Sequence, residues 1–303
     1  MKLLIDTDIG DDIDDALALA LAMDEGVELI GVTTVFGDTV KRARMAKRLL
    51  TLGGYGGAPI FCGYSGSVGE DEIKPPDLYT SELDGDEFAP DSEKPEEAVN
   101  FIIKACEEYG ESLTLLCLGP LTNVAIALTK APEAVSSARI VMMGGAYFRQ
   151  YADWNVSCDP LSAKAVFDGL AGMHCIGADV THLLRLGEKE ERALLSYQGS
   201  RPDRKHLSEM MRLYRSRKGE ERTALHDPLA LYYALHPDIC DTSEARIAVV
   251  TDGPARGLTL NIKEYSKSWM NPCYEGYYPP AQRVAISVDA RRMMGRFLSL
   301  FEK

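Results

Sequence analysis

Six of the ten residues from 6 to 15 are aspartates (Asp6, Asp8, Asp11, Asp12, Asp14 and Asp15), and they stand between two stretches that belong inside a protein. Leu3-Leu4-Ile5 before them reads as an interior strand, and Ala16–Met23 after them as an apolar helix. Carboxylates crowded at such a junction repel one another and lose hydration unless a cation or hydrogen-bond donors compensate. Helix N-termini favour Asp, which accounts for Asp11 or Asp12 but not for all six. Hard oxygen donors of this kind suit Ca2+ or Mg2+. The spacing is not that of an EF-hand loop. It is not a phosphate loop either, because Gly10 stands alone and no Gly-Lys-Ser/Thr follows.

The same strand–turn–helix unit recurs along the chain. Leu29–Val35, Pro59–Cys62, Ser112–Leu118, Ala138–Met143 and His174–Val180 read as strands. Lys41–Leu50, Pro95–Tyr109, Thr122–Thr129, Asp159–Leu170 and Lys189–Ser196 read as helices, and Asp289–Phe301 as a closing helix. Residues 63–95, rich in Gly, Pro, Ser and acids, read as a long functional loop. This alternation predicts one α/β domain over residues 1–303, with a mostly parallel central sheet flanked by helices. In such sheets ligands bind beyond the carboxyl ends of the strands, where the sequence places its unusual polar residues.

Composition narrows the partners. A net charge of −13 repels phosphate backbones and anionic lipid, so neither nucleic acid nor a membrane is expected as a partner. Seven cysteines with no CxxC pair read as reduced buried thiols in a cytoplasmic protein, and neither a secretory signal nor a membrane span is evident. A metal held by two or three carboxylates can orient a diol and bind a water whose proton a further carboxylate takes, and no GxSxG elbow offers an alternative nucleophile.

The residues that carry this chemistry resemble a known family. Ile5-Asp6-Thr7-Asp8-Ile9-Gly10 followed by Asp14-Asp15-Ala16-Leu17-Ala18-Leu19 is similar to the N-terminal signature of the inosine–uridine-preferring nucleoside hydrolases. Ala58-Pro59-Ile60, Leu118-Gly119-Pro120-Leu121-Thr122-Asn123, Met143-Gly144-Gly145, Ala152-Asp153-Trp154-Asn155, Asp159-Pro160, Asp179-Val180-Thr181-His182 and His226-Asp227-Pro228-Leu229-Ala230 continue the resemblance in order. It implies the nucleoside hydrolase fold with its Rossmann-like core, a homodimer or homotetramer, and Ca2+-dependent hydrolysis of ribonucleosides to base and ribose. It further implies that Asp8, Asp15 and Asp227 bind Ca2+ through carboxylates and Thr122 through its main-chain carbonyl. Asp14 would be the general base beside the metal's water, and would also meet the ribose. Asp6 and Asp12 would brace the site. Asp38, Asp153 and Asn155 would bind ribose hydroxyls with Trp154 packed behind them, and His226 would lie by the leaving base as a proton donor.

Three departures are visible. Two extra residues lie between Asp8 and Asp14, so Asp11 or Asp12 could share the base or ribose role. The family's Gly-Asn after the second strand is Gly37-Asp38, an acceptor in place of an amide. No histidine precedes His174, and Gln150 is the one amide shortly before Asp153. Elsewhere the plain readings hold. His174, His206 and His236 are structural or surface residues, and His182 is either that or pocket-lining. Arg201–Arg222 is a solvated helical face, and Tyr214 packs there unless it stacks on a base. Trp269, Tyr274, Tyr277 and Tyr278 form an aromatic cluster of open purpose. Two other functions compete: a phosphohydrolase with an aspartate nucleophile, suggested by Asp6-Thr7-Asp8 after a strand, and a non-catalytic riboside-binding protein.

Overall fold

The first strand, β1 (Lys2–Thr7), buries Leu3 and Ile5 in one apolar core and Leu4 in another, so it is covered on both faces. That is the environment of a central strand in a parallel sheet, and it explains a continuous apolar run in place of strict alternation. In the computed structural model, residues 1–69, 74–75, 78, 86–219, 222–262 and 277–302 are described. The further strands among them are β2 (Glu28–Thr34), β3 (Ile60–Cys62), β4 (Leu113–Cys117), β5 (Arg139–Met143), β6 (His174–Ile176), β7 (Thr242–Val249), β8 (Thr259–Asn261) and β9 (Ala281–Ala285). They join one sheet in the order β3-β2-β1-β4-β5-β6-β9-β7-β8. The run from β3 to β9 is parallel, and β7 and β8 extend it antiparallel.

The helices are α1 (Asp14–Asp24), α2 (Thr39–Leu52), α3 (Pro95–Tyr109), α4 (Thr122–Lys130), α5 (Pro132–Ser137), α6 (Trp154–Cys158), α7 (Pro160–Gly169), α8 (Ala178–Thr181), α9 (Glu188–Leu195), α10 (Pro202–Lys218), α11 (His226–Leu235) and α12 (Ala290–Ser299). The two cores lie on opposite faces of the sheet: α1, α2, α10, α11 and α12 cover one, while α3, α4 and α7 cover the other. α1 and α11 pack against each other, which places their N-termini side by side although more than half the chain separates them. The sheet order reverses at β1, between β2 and β4, and ligands collect at such a switch point beyond the strand ends.

One segment differs from its reading. His174–Val180 is strand only as far as Ile176, and Ala178–Thr181 coils into α8. Gly177 is the pivot, because a Cβ there would come within 2.8 Å of the Tyr147 ring and 2.9 Å of the Gly145 carbonyl oxygen. The Asp179 carboxylate then accepts the Tyr147 N–H at 2.6 Å, tying α8 to the turn after β5. Among the described residues of the long loop, Asp86–Phe88 is a single turn of 3-10 helix and Ser92 bridges to Phe61 beside β3. Of the C-terminal aromatic cluster, Trp269 and Tyr274 lie outside the described residues; Tyr277 donates to Asp168 at 2.6 Å and Tyr278 covers the Arg246 guanidinium. No helix among the described residues is long and apolar enough to cross a membrane.

Candidate metal centre and active site

Asp6 closes β1 and is fully buried. It accepts the Thr33 hydroxyl at 2.6 Å and the Asn123 amide at 2.8 Å, so it clamps β1 to β2 and to the turn entering α4. Burial pushes its carboxyl up to about 7, against the pull of these two donors. It does not face the cavity, which fits a bracing role. Thr7 follows and donates its hydroxyl to Asp15, so the strand end orients the first turn of α1.

Asp14 and Asp15 open α1, and Asp227 stands in the first turn of α11. One carboxylate oxygen from each lies within 4.8 Å of the others, and all three residues are buried. The Asp227 N–H donates to Asp14 at 3.3 Å. Burial raises all three carboxyls, Asp15 to about 7. For Asp14 and Asp227 the neighbouring carboxylates add to the rise. Helix dipoles ease this only in part. A divalent cation among the three oxygens removes the penalty, and an all-oxygen donor set suits Ca2+ or Mg2+. The chain therefore offers a fitting cation site made from its two ends.

Asp8 lines the same cavity but stands outside this group of three. Burial and the charges of Asp15 and Asp11 raise it well above the usual carboxylate range, and among the described residues no side chain donates to its carboxylate. Asp12 is committed elsewhere: one oxygen accepts the Ile13 N–H at 2.6 Å and the Thr223 hydroxyl at 2.7 Å, which ties the metal loop to the wall before α11.

Two of the expected site residues lie outside the cavity lining. Thr122 does not line the cavity; as the first residue of α4 its carbonyl runs along the helix axis, and its hydroxyl donates to Asp159 at 2.7 Å. Leu118, at the end of β4, is the residue of that turn that reaches the cavity. Asp38 lies outside the cavity lining. It caps α2, accepting the Lys41 N–H at 3.0 Å, and stands exposed away from the cavity.

Asp153, Trp154 and Asn155 do line the cavity. Asp153 caps α6, and burial lifts it to about 6. Asn155 donates to the Leu118 carbonyl at 2.6 Å and the Met143 carbonyl at 3.1 Å, so it staples the ends of β4 and β5. Trp154 is 41% exposed and faces the cavity rather than packing behind it, with Phe36 edge-on at 6.2 Å. His226 also lines the cavity, its Nδ1 against the Thr181 hydroxyl at 2.6 Å and its ring 5.3 Å from His182. Burial first, then His182 and Arg185, push it down to about 3, so it is a neutral imidazole at pH 7 and not a ready acid. Tyr151, Arg185, Lys218, Arg222 and Thr223 also line the cavity, of about 360 Å³, and no spacing in the sequence marks them.

Residues 3–295 match the inosine-uridine preferring nucleoside hydrolase family. The chain belongs to that family. Among its relatives are uridine nucleosidase 1 of Arabidopsis thaliana, 31% identical over 97% of this chain and 90% of the relative, and a pyrimidine-specific ribonucleoside hydrolase of Klebsiella pneumoniae, 32% identical over 86% of this chain and 88% of the relative. Solved structures agree. A plant nucleoside hydrolase superposes with a TM-score of 0.82 at 26% identity, covering 100% of this chain and 99% of its own. A purine-preferring ribonucleoside hydrolase from Gardnerella vaginalis gives 0.80 at 30%, covering 99% and 98%. The molecule is thus an N-glycosyl hydrolase of the nucleoside hydrolase fold.

This nucleoside hydrolase holds its aspartate-rich loop with a buried arginine. Arg42 of α2 is fully buried; it donates to the carbonyls of Phe36 (2.6 Å), Ile9 (3.0 Å) and Asp8, and pairs with Asp11 at 2.8 Å. Phe36 is held at φ +65°, a strained angle for a non-glycine residue, by this contact and by its N–H on the Tyr64 carbonyl. In sequence Arg42 sits in an amphipathic helix and reads as a surface residue. Arg42→Met is expected to cost about 3–5 kcal/mol of stability, because it leaves Asp11 and three carbonyls without their donor; urea unfolding measures it.

Proposed function

We propose that the chain hydrolyses the N-glycosidic bond of ribonucleosides to free base and ribose with a resident Ca2+. One observation carries the reading: Asp14 and Asp15 from one end of the chain and Asp227 from the other converge beneath a cavity of nucleoside size. Asp15 and Asp227 would hold the ion, Asp14 would complete its oxygen ring or meet a ribose hydroxyl, and the Leu118 carbonyl is placed to add a neutral donor. The bound ion would grip the ribose diol and offset negative charge at the reacting centre.

The protein's own groups do the rest. Asp8 takes the proton of the attacking water, because it is a cavity carboxylate outside the oxygen triad, without a side-chain donor, and close enough to Asp15 of the triad for their charges to act on each other. The water oxygen bonds to C1′ and the C1′–N bond breaks, its electron pair leaving with the base. Asp153 holds a ribose hydroxyl, and the buried carboxylates oppose positive charge on the sugar. Trp154 closes one wall of the sugar pocket. The base role moves here from Asp14 to Asp8 on geometry. Six buried free thiols fit a reducing, cytoplasmic setting, and a homodimer or homotetramer follows the family resemblance.

Incubation with inosine, uridine, adenosine, cytidine and nicotinamide riboside in Ca2+ is expected to release reducing sugar from at least one. A chelator should abolish the release and added Ca2+ should restore it. Release of phosphate from a phosphomonoester instead would favour the aspartate-nucleophile phosphohydrolase, and riboside binding without turnover would favour a non-catalytic protein.

A further inference from the structure

The cavity lining carries charges of both signs. Asp8, Asp14, Asp15 and Asp227 crowd the sugar end, whereas Arg185, Lys218 and Arg222 line the wall with His182 and His226. A chain with 33 basic and 46 acidic residues spends three cations on one cavity.

Their partners are few. Among the described residues neither Arg185 nor Lys218 makes an ion pair, and Arg222 reaches the exposed Glu188 only at 3.5 Å. Lys218 attracts Asp11 and Asp12 from a distance. Arg185 is near enough to act on the His182 and His226 imidazoles, neither of which offers it a negative charge. Cations gathered on one wall repel, and a bound anion relieves that repulsion. A protein of net charge −13 also repels anionic solutes, so a local cationic mouth is what such a solute needs to enter.

We propose that the Arg185 end of the cavity is an anion subsite, and that the preferred substrate is a ribonucleoside carrying a negative charge outside its sugar ring. This rests on the ribohydrolase reading and deepens it. The charge is either a carboxylate on the base or a phosphate on the 5′ carbon; both offer oxygen anions that a guanidinium binds in pairs. When the base carries it, the subsite has a second effect. The electron pair of the breaking C1′–N bond leaves on the base, and Arg185 opposes that added charge.

The test is kcat/KM for uridine, orotidine (a carboxylate on the base) and uridine 5′-monophosphate, with free Ca2+ buffered, at low and high salt. One of the two anionic substrates is expected to exceed uridine by about tenfold at low salt, with the advantage shrinking as salt screens the subsite. Orotidine ahead places the anion on the base; the monophosphate ahead places it at the 5′ end. In Arg185→Gln the ratio of anionic substrate to uridine should fall at least about fivefold, while the melting temperature holds because the residue is exposed. Uridine cleaved as well as both anionic substrates at low salt, or a ratio that Arg185→Gln leaves unmoved, overturns the subsite while leaving the hydrolase reading intact. If no riboside of any charge is cleaved, the hydrolase reading fails and the subsite fails with it.

Discussion

Asp227→Asn should lower kcat/KM for every cleaved nucleoside by about 10³-fold or more, since it removes a charged donor worth several kcal/mol in the transition state. The same change should act on stability with the opposite sign when no metal is present. Asp227 is buried, its carboxyl is raised by burial and by Asp14, Asp15 and Asp8, and its charge therefore opposes folding in the metal-free protein. Chelated Asp227→Asn should melt no lower than chelated wild type, while wild type alone should gain strongly from Ca2+. Saturation at about a hundred times Kd adds roughly 2.7 kcal/mol. The sign with pH follows. Asp15 and Asp6 are raised to about 7, so the native state binds more protons than the unfolded chain between the ordinary carboxylate range and that value. Metal-free protein then loses stability as pH rises through that window, and the gain from Ca2+ is larger at pH 7.5 than at pH 5. Calorimetry at the two pH values, with chelator and with Ca2+, reads all of this. A metal-free Asp227→Asn that melts far below metal-free wild type would mean the carboxylate is a structural partner and not an unbalanced charge.

Asp8→Asn tests the other half of the mechanism. If Asp8 takes the water's proton, kcat should fall by about 10²–10⁴-fold while substrate still binds. Asp14→Asn should show itself more in Ca2+ affinity and KM, because Asp14 belongs to the oxygen triad and already accepts the Asp227 N–H. Asp12→Ala is the control. Its carboxylate braces Ile13 and Thr223, so its loss should loosen the wall by α11 without a kcat effect on that scale. Steady-state kinetics and calcium titration of the three variants separate the roles. An Asp14→Asn protein that keeps its Ca2+ affinity but loses turnover, beside an active Asp8→Asn, would return the base to Asp14.

How far the sequence carried this differs from part to part, for physical reasons. The parallel core was legible because buried strands such as Leu113–Cys117 and helices such as Pro95–Tyr109 announce themselves by apolar run and period. The short strand at His174–Ile176 was overread, since Val180 continues the apolar run while Gly177 breaks the strand through contacts invisible in sequence. Asp15 and Asp227 were legible as partners only through the family resemblance, because nothing in spacing says that α1 and α11 pack together. That Thr122 and Asp38 lie outside the cavity lining was not legible, because a turn motif does not say which of its residues reaches a cavity, nor whether an acid is a cap. The cavity's cations were hidden in the Arg-rich stretch around α10, where a solvated face and a pocket wall look alike.

The central claim is best tested by diffraction from crystals grown with Ca2+, with Mn2+ substituted to give an anomalous signal. One ion is expected between Asp15 and Asp227, within bonding distance of Asp14 or the water beside it, with a nucleoside analogue placing its diol on that ion. A clean map with no ion among these carboxylates, obtained from protein that cleaves nucleosides in the same buffer, would contradict the account.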